Sequence, residues 1–159
     1  LNALAIATYP MYRGIARLLG MAIGPQPDSL KGEITALREN YGGYDFFFVH
    51  VKATDSRGED GNFDAKVKVI EEVDSLVPMV TDLKPDVLVI TGDHSTPAAL
   101  ASHSWHPLPV LLHSATARPD RVERFGERDC ISGGLGRMPT VHLMGLALAH
   151  AGRLEKFGA

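Results

Sequence analysis

One stretch limits the possible folds more than any other: Asp86-Val-Leu-Val-Ile-Thr-Gly-Asp93-His94-Ser-Thr-Pro97. Its first half is a short aliphatic run bounded by Pro85 and Asp86 in front and Gly92 behind. Such a run reads as a strand buried on both faces. Asp93 and His94 follow at the strand's carboxyl end, where open α/β sheets place their ligands. Together they offer one hard oxygen and one imidazole nitrogen to a divalent cation such as Zn²⁺ or Mn²⁺. Ser95-Thr96-Pro97 reads as a helix start, with a hydroxyl cap followed by Pro in the first turn. The competing reading is structural: Asp93 caps that helix and His94 packs beside it.

The flanking sequence fits the same class. Ala3 to Ala7 is a short apolar strand, closed by Tyr9-Pro10. A helix then runs to about Leu19, with Ile15, Leu18 and Leu19 on one face and Arg13 and Arg17 on the other. A second short helix is expected from Glu33 to Tyr41, stopped by Gly42-Gly43. Tyr44 to Val51 is a strand without alternation, covered on both faces. Lys52 to Asn62 is expected to be a polar loop. From Phe63 to about Val77, apolar residues at 63, 67, 70, 73 and 77 repeat at helical spacing and are expected to face the core. A short helix over Pro97 to Ala101, a strand over Val110 to His113 and an amphipathic helix from Pro139 to Phe157 with Gly158 as its stop complete the reading. Strands alternating with helices make an α/β fold with a mainly parallel sheet flanked by helices.

At 159 residues the chain suits one domain with a sizeable core. A net charge of −3 argues against a nucleic-acid partner. No apolar run reaches the ~20 residues of a membrane helix. The single Cys130 forms no internal disulfide, so a cytoplasmic setting is expected. The chain opens on Leu1, inside a strand, which reads as a piece of a longer polypeptide.

Three polar clusters follow strand-like runs: Asp55 with Glu59 and Asp60, the pair Asp93-His94, and His103 with His106. Parallel neighbouring strands would bring the first two to one sheet edge. Together the clusters exceed the three protein ligands of one catalytic zinc. They suit two metals ~3.5–4 Å apart, the arrangement used for in-line phosphoryl displacement. Tyr12-Arg13 offers a phosphate contact, since a guanidinium fork binds phosphate bidentately. A solvated helix face is the alternative for it. Trp105, between two histidines, is expected to pack and fix its loop.

Four segments resemble the archaeal-type, cofactor-independent phosphoglycerate mutases of the alkaline phosphatase superfamily. They are Tyr9-Pro-Met-Tyr-Arg-Gly-Ile-Ala-Arg-Leu-Leu-Gly-Met21, Phe47-Phe-Val-His-Val-Lys-Ala-Thr-Asp55, Thr91-Gly-Asp-His-Ser-Thr-Pro97 and His103-Ser-Trp-His-Pro-Leu-Pro109. The resemblance covers nearly the whole chain but only the carboxyl-terminal part of such an enzyme. It implies an alkaline phosphatase-like partial domain over residues 1–159. It also implies interconversion of 3-phosphoglycerate and 2-phosphoglycerate through a phosphoserine, with two divalent metals. Mn²⁺ or Mg²⁺ is expected, with Zn²⁺ or Co²⁺ as alternatives. By motif match, Asp93 and His94 would hold the metal that activates the serine, and Asp55 and His103 the other. Glu59 stands where the superfamily often carries a histidine, and it suits Mg²⁺ or Mn²⁺ better than zinc. Asp60 is a weaker substitute, and His106 is expected to support His103 from behind. No catalytic nucleophile is expected within this chain. The serine segment and the inserted substrate domain are expected upstream, so the chain alone would be inactive. The rival functions are a related metal-dependent phosphatase or phosphomutase, and a non-catalytic half-domain that binds a metal or a partner. Self-association into a homo-oligomer is a further expectation of an incomplete sheet.

Overall fold

The structure is a computed structural model that describes every residue except 155 and 157–159. The chain divides into two compact units. The larger comprises Leu1–Lys84 and Thr96–Ser102, the smaller Pro85–Ser95 and His103–Ala159.

The larger unit is built on β1, Ala3–Ala7, which lies between β2, Ala22–Ile23, and β3, Phe46–His50, all parallel. The β1–β3 register runs from Ala3 opposite Phe46 to Ala7 opposite His50. A central parallel strand is covered on both faces, and Leu4, Ala5, Ile6 and Ala7 are all buried. The helix α1, Pro10–Leu18, opens with Pro at its first position, where the missing N–H costs nothing. The helix α2, Leu30–Asn40, is capped by Ser29, whose Oγ accepts from the Gly32 N–H at 3.1 Å. It adds Ala36 and Leu37 to the core of Leu4 and Ile6, against which Phe47, Val49, Val80 and Leu83 pack.

The segment after β3 is a helix, α3, Ala53–Glu59, and not the polar loop its composition suggested. Gly58 within it is buried, because a Cβ there would collide with the Thr96 carbonyl and sit 2.9 Å from the Thr96 methyl. Next comes α4, Phe63–Thr81, started by Asn62, whose Oδ1 accepts from the Ala65 N–H at 3.0 Å. Part of the apolar stripe expected to be core is exposed: Phe63 is 68% and Ile70 50% accessible. The other stripe positions, Val67, Val73 and Val77, are half-buried, as are Val69, Leu76 and Val80 beside them, and no residue of α4 is fully buried. The expected helix at Pro97 to Ala101 is only a series of turns.

In the smaller unit β4, Val87–Ile90, pairs antiparallel with β5, Leu111–Ser114, from Val87 opposite Ser114 to Ile90 opposite Leu111. The expectation that the strands before Asp55 and Asp93 are parallel neighbours is not met, since β3 pairs with β1 and β4 with β5. The reason lies in the connection. No crossover helix separates β4 from β5, so the chain returns antiparallel.

A four-residue helix, α5, Glu127–Cys130, and the helix α6, Val141–His150, follow. Two side chains tie this region. Asp120 accepts from the Val122 N–H at 2.9 Å and the Gly134 N–H at 2.6 Å. Thr116 Oγ1 hydrogen-bonds Ser114 Oγ at 2.9 Å and His150 Nδ1 at 2.7 Å. The expectation for α6 was too long at both ends. The helix gives way to a turn at Ala151, and Gly152 takes the left-handed conformation that ends helices, with φ +66°. The expected limits Phe157 and Gly158 lie outside the described residues. Among the described residues, no helix is long and apolar enough to cross a membrane.

Candidate metal centre

In the larger unit, α3 places Asp55 and Glu59 one helical turn apart, so both carboxylates lie on one face. They converge on a single cation, the Lys52 ammonium. Lys52 Nζ pairs with Asp55 Oδ2 and lies 3.6 Å from Glu59 Oε2. The Asp55 side chain is 12% accessible and that of Glu59 48%. The hydrogen bond that Lys52 donates to Asp55 holds the lysine above its ordinary pKa, outweighing partial burial, so it is charged at neutral pH. The other oxygen of Asp55, Oδ1, accepts from Thr96 Oγ1 at 2.6 Å. Thr96 is itself fixed by Lys66, whose Nζ donates to the Thr96 carbonyl at 2.5 Å. Asp60 turns elsewhere, to Arg57 at 3.2 Å.

In the smaller unit, the imidazoles of His94 and His103 face each other with ring centroids 3.9 Å apart. A ring nitrogen of each lies within 4.8 Å of one on the other. The loop carrying them is closed at its base by an antiparallel bridge between Ser95 and Ser104. Asp93 Oδ2 lies 3.4 Å from His94 Nε2, and Asp93 Oδ1 accepts from the His94 N–H at 3.0 Å. Asp93, His94 and His103 are thus one neighbourhood. His106 is held through Nδ1 by Ser104 Oγ at 2.8 Å. Trp105 stacks on His106 but is 85% exposed, so it does not anchor its loop by burial as expected.

Arg13 and Tyr12 each make contacts within the larger unit. Arg13 Nη1 donates to the Ala7 carbonyl at 3.0 Å and the Gly24 carbonyl at 3.3 Å, tying the end of β1 to the loop after β2. Tyr12 packs its ring on His50 with centroids 3.9 Å apart. Both have structural work.

The donor sets suit a divalent cation. Two carboxylates already gather around a positive charge in one unit, and two imidazoles with an adjacent carboxylate gather in the other. Mixed oxygen and imidazole donors fit Mn²⁺, Mg²⁺ or Zn²⁺ rather than a soft thiolate-seeking ion. Two members of this chemistry, Lys52 and Thr96, escaped the sequence reading. The signal for Lys52 was its spacing to Asp55 and Glu59, three and seven residues, which share one helix face.

The Metalloenzyme superfamily matches residues 1–150. The chain belongs to the Metalloenzyme superfamily. Membership in the Metalloenzyme superfamily implies binding of a divalent metal. Among curated relatives, the chain is 58% identical over 159 residues to a protein from Thermotoga neapolitana named as a probable 2,3-bisphosphoglycerate-independent phosphoglycerate mutase. That match covers all of this chain and 40% of the relative. A protein of the same name from Thermus thermophilus is 54% identical over 162 residues, with the same coverage. The chain thus spans about 40% of the length of these relatives. Among solved structures, a protein from Pyrococcus horikoshii superposes with a TM-score of 0.93 at 32% identity, covering 99% of this chain and 44% of that one. The cofactor-independent phosphoglycerate mutase from Thermoplasma acidophilum superposes with a TM-score of 0.74 at 22% identity, over 94% of this chain and 36% of that one, and shows a shared fold. The α/β class with a parallel sheet flanked by helices, and the resemblance drawn from the four motifs, both agree with these matches.

Proposed function

We propose that the chain is the metal-binding, carboxyl-terminal part of a phosphoglycerate mutase that interconverts 3-phosphoglycerate and 2-phosphoglycerate through a phosphoserine. The observation that carries this reading is the name shared by relatives up to 58% identical across the whole chain. The donor chemistry supports it. Asp93 and His94 are assigned to one metal, and Asp55, Glu59 and His103 to the other, with Mn²⁺ or Mg²⁺ preferred because oxygen donors dominate. Bound divalent cations would neutralise the phosphate and make a serine hydroxyl a competent nucleophile.

The chain's own residues would do the positioning. Thr96 orients Asp55 through its hydrogen bond, leaving one carboxylate oxygen directed to a cation. Ser104 holds His106, which steadies the loop of His103 without being a ligand. Tyr12 and the N–H groups of Arg13 beyond Nη1 are assigned to the substrate phosphate. The nucleophilic serine and the domain that encloses the substrate are placed in the part of the relatives' length that this chain does not span. The fragment alone is proposed to be inactive, and the whole enzyme to be cytoplasmic.

The test uses the full-length protein. Asp93→Ala should abolish phosphoserine formation from 3-phosphoglycerate, and unchanged turnover would overturn the assignment. His103→Ala should lower kcat more than His106→Ala, and the reverse order would remove His103 as a ligand. Release of inorganic phosphate in place of the isomeric phosphoglycerate would assign the chain to a phosphatase instead.

A further inference from the structure

Two carboxylates one turn apart on a helix repel each other, and in α3 that repulsion is relieved by a residue of the same segment. The Lys52 ammonium pairs with Asp55 and lies 3.6 Å from Glu59. It also stands over the ring of Tyr9, 5.1 Å from the centroid, which favours a cation at that spot. Its side chain is 26% accessible, so a path to solvent is open. Its flexible four-carbon stem allows the ammonium to leave without moving the backbone.

We propose that Lys52 is a built-in counter-cation for Asp55 and Glu59, one that a divalent metal must displace to bind. This rests on the assignment of Asp55 and Glu59 as metal ligands. A metal dication and an ammonium compete for the same carboxylate oxygens, because like charges at contact distance repel strongly. The lysine therefore has two opposed effects. It stabilises the metal-free protein by relieving carboxylate repulsion, and it weakens metal affinity by occupying the ligands. Lys52 is a positioning residue, acting through Asp55 and Glu59.

The experiment is a calorimetric titration of the full-length protein with Mn²⁺, paired with thermal unfolding in the presence and absence of the ion. Lys52→Met keeps the stem and removes the charge. It should bind Mn²⁺ about tenfold more tightly, melt at a lower temperature than wild type without metal, and gain more in Tm on Mn²⁺ addition. Lys52→Arg keeps the charge and should bind no more tightly than wild type. If Lys52→Met fails to fold without metal, recovery of its structure on adding Mn²⁺ gives the same support, and Lys52→Gln supplies the affinity. Mn²⁺ binding by Lys52→Met or Lys52→Gln that is no tighter than wild type overturns the proposal while leaving the metal site intact. Asp55→Asn that keeps wild-type Mn²⁺ affinity overturns the ligand assignment itself, and the role of Lys52 with it.

Discussion

Leu4 in β1 is 2% exposed and Ala5, Ile6 and Ala7 are fully covered, whereas β4 and β5 bury no aliphatic side chain to that degree. Every buried hydrophobic residue among those described belongs to the larger unit. The difference follows from the ladders. A central parallel strand with neighbours on both sides and helices packed against it leaves no face for water. A two-stranded ribbon stays wet and is marginal by itself. The smaller unit compensates with polar ties, in which Asp120 gathers two loop N–H groups and Thr116 links β5 to the end of α6. Apolar burial therefore organises the larger unit, while hydrogen-bonded loops organise the smaller one.

The largest expected effect tests that contrast directly. Ile6→Ala should cost about 3–5 kcal/mol in urea unfolding, since it empties a fully buried site. Leu112→Ala, in half-buried β5, should cost less than half as much, and equal losses would break the contrast. Glu33 sharpens it from within the larger unit. Burial raises its carboxyl from 4.5 to about 7. A carboxyl that is harder to ionise when folded favours folding fully below about pH 4.5, and that contribution is lost as pH climbs to about 7. Glu33→Gln should thus raise stability near pH 8 by up to about 3 kcal/mol and flatten the pH dependence between 4.5 and 7, read from unfolding curves across that range.

A smaller loss is expected from Gly58→Ala, about 1–3 kcal/mol from forcing a methyl against Thr96. It should also perturb the Asp55 amide environment seen by nuclear magnetic resonance, and an unmoved Asp55 would show that Thr96 does not hold it. The smallest effect belongs to Asp120→Ala. The Gly134 and Val122 N–H groups hold this exposed carboxyl below its ordinary pKa. Its contribution is present above about pH 4 and is lost as the carboxyl protonates below that. The variant should therefore be slightly less stable than wild type at neutral pH, and the gap should close in acid.

Much of the frame could be read directly from the chain. Runs such as Ala3 to Ala7 and Val87 to Ile90 are too short and too closely bounded by Pro or Gly for a buried helix, and both are strands. The candidate donors Asp55, Glu59, Asp93, His94 and His103 were named from their place after such runs. What could not be read depended on partners distant in sequence. The segment after Lys52 reads as a loop because it is polar and because Asp55 and Gly58 have poor helical propensity alone, and the fit of Gly58 against Thr96 favours the helix. The strand after Pro109 was visible, but its antiparallel direction is set by the connection behind it. Trp105 carries the composition of a core residue and none of its burial.

The loop between His94 and His103 has one further consequence. Its base is fastened in the smaller unit by the Ser95–Ser104 bridge, while its middle, Thr96–Ser102, belongs to the larger one. The bridge, next in sequence to both residues, therefore sets how far apart the two imidazoles stand. Inserting or deleting a single amino acid at the apex should leave that gap nearly unchanged, so the loop's tip can drift in length while its neck keeps the two rings facing each other.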